Sequence, residues 1–270
     1  MHQIVLRVFS ALSLAASLPV VSLAQPVAVR HPQGSLHGFL SLTSEGGLPI
    51  ATGDLDQTVR GGNITSHLVF RFKDGSVQDE TTVFSQRKIF HLISEHLIQK
   101  GPSFPRQLDL TVNGTTGTAT AIYSEKGGKE KTETTQLHLP NDLANGLVPT
   151  LLQNLAPGAA LTASMVVAAP KPQIVKLAIQ PDGSDEFVLG GQARTATRYL
   201  VKVEIGGIKG VVAPLVGKQP PDTKVWIMGG VAPAYLRSEG ASCEGCAIWV
   251  TELASPRLET QTSHPAERKK

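Results

Sequence analysis

The sequence predicts a mainly β protein: a large curved antiparallel sheet or half-open β-barrel with one or two short helices in mid-chain. Three observations predict it. Apolar and polar residues alternate over short runs, as a sheet with one buried face requires. Turn signals separate those runs, in a chain with 26 glycines and 18 prolines. Only one stretch, Leu143 to Leu155, carries helical spacing.

The chain opens with a weakly basic start ending at Arg7. A short apolar run of small residues from Val8 to Leu23 follows. Ser22-Leu23-Ala24 supplies the small residues a signal peptidase reads, so residues 1–24 are expected to be a signal peptide cleaved before Gln25. The run is short for a membrane anchor. No later segment is apolar over enough residues to span a bilayer as a helix, so no membrane span is expected after signal removal. Residues 25–34, with Pro26 and Pro32, are expected to form a flexible leader. Residues 35–255 then form a single β-rich domain, with halves at about 35–140 and 158–255 joined by a helical segment at 141–156. Residues 256–270 form a disordered tail.

The elements follow in order. Leu68, Phe70 and Phe72 share one strand face, with His67 and Arg71 on the other. Asp74-Gly75 turns the chain back toward a strand beginning near Val77. Leu108, Leu110 and Val112 make the cleanest alternation, ended by Asn113-Gly114. Thr118 to Tyr123 returns, and Thr132 to Leu139 follows. In the second half, strands are expected at Met165–Ala169, Ile174–Ile179, Phe187–Leu189, Tyr199–Ile205, Val225–Met228 and Ala247–Leu253. Gly-Gly pairs at 46–47, 61–62, 127–128, 190–191, 206–207 and 229–230 punctuate them without a fixed period, which excludes a solenoid or propeller. Between the halves, Leu143, Leu147, Leu151 and Leu155 line one helical face. Pro149 divides that segment into helical pieces at 142–147 and 149–155, the first capped by Asn141 or Asp142. The segment either plugs one end of the sheet or lids a ligand cavity.

Charge excludes some functions. The formal net charge of +3 falls to about +2 without Arg7, and much of the remainder sits in Arg268, Lys269 and Lys270. No clustered basic face marks a nucleic-acid partner. The chain has 2 cysteines, Cys243 and Cys246. In an oxidising compartment a local disulfide is their default state; free or strained thiols, or metal or catalytic redox work, are the alternatives. His91, Glu95 and His96 do not match a zinc motif, and on a regular strand His91 and Glu95 share one face while His96 points away. Ser85 and Lys88 match S-x-x-K without the partner motifs of penicillin-recognising enzymes. No phosphate loop, dinucleotide fingerprint or nucleophile elbow is present. Asp182 to Glu186 reads as an acidic turn rather than a calcium loop. Asn63-Ile-Thr65 and Asn113-Gly-Thr115 are glycosylation sequons that also suit turns. The glycine- and proline-rich stretch from Gly206 to Asp222 either shapes a binding mouth exposing Lys218 and Trp226, or is a crossover that buries Trp226.

The run His67-Leu-Val-Phe-Arg-Phe-Lys-Asp-Gly75, the long β meander and the leucine-rich helix in mid-chain together resemble exported bacterial proteins thought to share the open barrel of periplasmic lipoprotein carriers. The resemblance implies a curved antiparallel sheet around an apolar cavity. It carries no functional residue across, and this chain has one helical segment where the carriers use several.

The expectation is therefore an exported, periplasmic or secreted, non-enzymatic envelope protein with no cofactor, no metal and no catalytic residue. Its partner would be a lipid or another apolar ligand in the concave face, with Leu147, Leu151, Lys218 and Trp226 as the ligand-binding set. A structural or protein-interaction module of the envelope is the alternative, and an enzyme built from distant strands is the third reading.

Overall fold

The computed structural model describes residues 26–125, 128–168, 171–204 and 220–254. The expected signal peptide, the tail at 256–270 and Lys218 lie outside them. The described residues form one 14-stranded antiparallel sheet. Its first wing is a meander of β1 (Leu36–Ser44), β2 (Pro49–Arg60), β3 (Asn63–Phe72), β4 (Val77–Gln86), β5 (Phe90–Lys100), β6 (Arg106–Asn113), β7 (Thr118–Glu125) and β8 (Lys131–Gln136). After the helix α1 (Val148–Gln153) come β9 (Leu161–Val167), β10 (Gln173–Leu189), β11 (Gln192–Glu204), β12 (Thr223–Met228), β13 (Ala234–Ala241) and β14 (Ile248–Leu253). The two meanders join where β1 pairs with β14, so β8 and β9 are the outer strands.

The alternation decides the faces. Even residues of β3 (Ile64, Phe70, Phe72) and β6 (Leu110, Val112), with odd residues of β11 (Tyr199, Val201) and β12 (Val225, Ile227), are buried. One apolar cluster joins both wings across the 143–152 segment, whose Leu143, Ala144, Leu147, Leu151 and Leu152 fill the space between them. A second cluster gathers at the β1–β14 seam, where Phe72, Phe104 and Trp249 meet with ring centroids 5.2 to 5.9 Å apart. Gly53 makes this packing possible, because a Cβ there would lie 2.5 Å from the Phe70 ring.

Three expectations need correction. The mid-chain segment holds one helix, not two, and residues 142–147 are not helical. Gly146 adopts φ +62°, outside the helical region, and Leu143 instead forms a parallel bridge to Ser164 of β9. Asp142 bonds Ser164 rather than capping a helix. The acidic stretch at 182–186 is no turn. It is a bulge within β10, where pairing with β11 skips from Pro181 to Ser184.

The leader is also tied down over its described part. Ala28 bridges Ile89, the Val29 N–H donates to the Lys88 carbonyl (3.0 Å), and Val27 is buried. Asn154, 1% exposed, fastens the leader to the helix. Its Oδ1 accepts the Arg30 and His31 N–H groups (2.9 and 2.7 Å), and its Nδ2 donates to the Thr150 carbonyl (2.9 Å). Replacing Asn154 with alanine orphans both leader N–H groups, so a loss of about 2–3 kcal/mol is expected. Urea unfolding measures it, and faster proteolysis near residue 30 is the accompanying sign.

Candidate functional site

The concave face is where a carrier would hold its ligand, and here the chain occupies it. Leu147 is 0% and Leu151 4% exposed, both within the main cluster. The crevice between this plug and the sheet, bordered by Val27, Phe90, Leu143, Leu151 and Leu161, has no room for a water molecule. Leu147 and Leu151 are therefore packed into the interior, part of the main apolar cluster.

Polar sockets hold the plug. Ser164, fully buried, donates from Oγ to Asp142 (2.9 Å to Oδ1), and Lys176 Nζ donates to Ser164 Oγ (2.7 Å). Serine beside lysine can make a nucleophile. Here both serve the plug: Ser164 is wholly buried, and its bonds tie Asp142 to β9 and β10. In the second socket Asn145 donates from Nδ2 to Glu95 Oε2 and to the Val166 carbonyl (both 2.9 Å), and its Oδ1 accepts the Val166 N–H (2.8 Å). Glu95 is 4% exposed and hydrogen-bonds to Glu80. Burial holds the Glu95 carboxyl well above its ordinary range, and the Glu80 charge pushes it further. Burial raises Glu80 as well. Two buried carboxyls this close favour one proton between them over two negative charges, and Asn145 and Gly146 cover them from the plug side.

Glu95 faces inward because β5 carries a bulge. Its partner Val83 pairs with Ser94 and the next, Phe84, with Leu92, so Ile93 is the extra residue. Phe90 and Leu92 point in before the bulge, and Glu95 and Gln99 point in after it. This overturns the expectation that His91 and Glu95 share a face. His96 points away from Glu95 as expected and meets Asp109 (2.9 Å), but the bulge leaves His91 and His96 on the same outer face, not on opposite ones.

Trp226 lies on the other side of the sheet from Leu147 and Leu151, so the expected ligand-binding set is not brought together. Its neighbours Val225 and Ile227 belong to the main cluster, while Trp226 packs with Ala196 and Leu236 on the convex face. The ring is 6% exposed, Nε1 donates to Asp185 (2.6 Å), and Arg237 sits 5.3 Å from a ring centroid. Asp182 and Asp185 both pair with Arg198 (3.0 and 2.7 Å). That hydrogen bond from Trp226 lowers the Asp185 pKa, with Arg198 assisting. This is a closed charge network that braces β10, β11 and β12.

Open apolar surface lies beyond it, at the tip of the β10–β11 hairpin. Leu189, Arg194, Thr195, Met228, Gly229, Gly230 and Val231 line a shallow groove of about 510 Å³. Of these Val231 is 98% exposed, while Val188, 76% exposed, lies on the face of β10 opposite to Phe187 and Leu189. The glycine pairs at 190–191 and 229–230 flag the two turns in the sequence, but nothing in the alternation shows that their apolar neighbours stay outside.

Cys243 and Cys246 are disulfide-bonded in the β13–β14 turn, packed against the Phe104 cluster. Such a pair fits an oxidising compartment. Among the described residues no group of three or more His, Cys, Asp or Glu converges as a metal site, and no helix is long and apolar enough to cross a membrane.

No family model matches the chain, and no curated protein matches it. Among solved structures it is similar to a β-barrel-like protein of a domain of unknown function, DUF1849, from Brucella abortus. That likeness has 10% identity and a TM-score of 0.42, covering 86% of this chain and 98% of the other.

Proposed function

We propose that this is an exported, non-enzymatic module of the cell envelope that binds an apolar segment of a partner polypeptide at the tip of the β10–β11 hairpin. One observation carries the reading: the crevice between the plug and the sheet has no room for a water molecule, while Val231 stays almost wholly exposed in an open groove outside it. A carrier needs an enclosed apolar space that buries most of its ligand. A shallow open groove cannot enclose an acyl chain, but it suits a few side chains of a polypeptide, with Arg194 available at its rim for a carbonyl or carboxylate. Export is supported by the pattern of residues 1–24 and by the Cys243–Cys246 pair.

A photo-crosslinking residue placed at 231 in the source cells tests this. The expected result is a discrete polypeptide adduct that weakens at least fivefold with Arg194→Glu, a substitution at an exposed residue lining the groove, and is missing when the crosslinker sits at Thr58 on the other wing. Both sites are exposed, so stability should change by no more than about 0.5 kcal/mol. Equal crosslinking at 231 and 58, or a lipid-sized mass retained in native mass spectrometry, would overturn the proposal.

A further inference from the structure

The two outer strands of the sheet are finished differently. The chain itself covers β9: the Ala144 N–H donates to the Ser164 carbonyl (2.8 Å), and the Ser164 N–H to that of Asp142 (3.0 Å). Asn145 completes the cover with two bonds to the backbone of Val166. For β8, the described residues place no strand on the side away from β7.

The register shows which backbone groups of β8 are free. The Leu137 N–H donates to the Gly117 carbonyl (2.8 Å), continuing the β7–β8 register. In an antiparallel ladder alternate residues bond to the neighbour and those between them face away. Lys131, Glu133 and Thr135 thus bond to β7. Thr132, Thr134 and Gln136 turn their N–H and C=O groups to the open side. Proline, a bulge or an inward-pointing lysine usually protects such an edge. β8 has neither proline nor bulge; its inward-facing charges, Lys131 and Glu133, neutralise each other (2.6 Å) beside the Tyr123 ring, so neither stands as an unpaired charge against an approaching strand.

The solvent face of β8 also completes a ladder. Thr111 lies opposite Thr120, and Thr120 opposite Thr134. The Thr120 and Thr134 hydroxyls are hydrogen-bonded (3.1 Å), and Thr118 donates to Gln136 (3.1 Å). These side chains recur in self-complementary order along β8.

We propose that β8 pairs antiparallel with β8 of a second copy of this chain, about a two-fold axis at Thr134. In that register Thr134 meets Thr134 of the second copy, and Thr132 meets its Gln136. These are the same two side-chain pairs that join β7 to β8. The outward-facing backbone groups of both copies come into phase. On the inner face Glu133 lies opposite Thr135 and Lys131 opposite Leu137, so no like charges oppose each other. The isologous contact continues the threonine ladder from one sheet into the other. It involves β8, not the hairpin groove, and stands independently of what that groove binds. A six-residue strand buries little area, which places the dimer among weak, reversible ones, with dissociation in the micromolar range.

Sedimentation equilibrium of the mature protein from about 1 to 300 μM tests the pairing. The wild type should pass from monomer to dimer over that range. Thr134→Pro deletes an N–H that only the second copy would use, leaving the β7 ladder intact. Thr134→Lys sets like charges against each other across the axis. Each should weaken association at least tenfold with an unchanged circular dichroism spectrum. The lysine variant decides the matter if the proline variant does not fold. Spin labels at 134 should show a distance below about 25 Å, set by adjacent strands and two label arms. A wild type that stays monomeric throughout, variants that dimerise as tightly as it does, or a longer distance between labels in the dimer would overturn the proposal.

Discussion

Replacing Gly146 with alanine should destabilise the protein by about 3 kcal/mol, within a range of 2–5. Two costs add at this position. The backbone sits at φ +62°, where a Cβ costs roughly 1–2 kcal/mol. That Cβ would also collide with Thr82 Oγ1 and lie 2.9 Å from Glu80 Oε1. Both groups belong to β4, and overpacking against a fixed wall costs about 1–3 kcal/mol. Gly61 provides the control: its φ is +58°, but no atom stands within 4 Å of the added methyl. Gly61→Ala should therefore show only the backbone cost. Urea titrations of both variants separate the two terms. The collapse of amide protection along 142–155 in Gly146→Ala would show that the plug has lifted. Equal losses in the two variants would mean that the plug is not seated against β4.

Stability should fall as pH rises out of the mildly acidic range, and Glu95→Gln should remove much of that fall. The sign follows from the direction of the shifts. Glu80 and Glu95 bind protons more tightly in the folded protein than at their ordinary value of 4.5. The folded state thus holds extra protons above that value, and raising the pH favours unfolding until the raised folded pKa is passed. Below 4.5 the contribution is fully present. Each unit of upward shift corresponds to about 1.4 kcal/mol lost once the proton has gone. Asp74 and Asp185 act oppositely. The Ser76 and Ser103 hydrogen bonds lower Asp74, and the Trp226 bond lowers Asp185, so what they contribute is present above 3.8 and lost as pH falls below it. A stability maximum between these limbs is expected. Glutamine at 95 can still accept from Asn145 and donate to Glu80, so it copies the protonated acid without titrating. Denaturant midpoints from pH 4 to 8 read the effect. A wild-type curve flat or rising across that interval, or one unaltered by Glu95→Gln, contradicts the shared proton.

The strands that alternated cleanly were legible in advance. Leu108, Leu110 and Val112 became β6, and Tyr199 to Glu204 became the latter part of β11. Each packs one face on the interior for its whole length, so the period of two survives. β13 gave no such signal, because the break in pairing between Trp226 and Ile227 shifts its register midway. The bulge at Ile93 hid Glu95 in the same manner, since it turns a side chain of the wrong parity inward. Leucine spacing located the plug but exaggerated its helix: Leu143, Ala144 and Leu147 are buried through a bridge and turns rather than a helical face. Of the two readings of Trp226, the buried one holds, but the side of the sheet it faces was hidden. A run such as Val225-Trp226-Ile227 is apolar on both sides, and only the tertiary structure reveals that each side has its own cluster.

The pairing of β1 with β14 has a consequence for how the molecule comes into being. A ribosome delivers β1 to β8 long before β14, so the early meander must wait with one flank unzipped while nearly the whole polypeptide is made. Contacts this remote along the chain are slow to form. The seam from Leu40 opposite Leu253 to Ser44 opposite Trp249 is therefore expected to close late in folding.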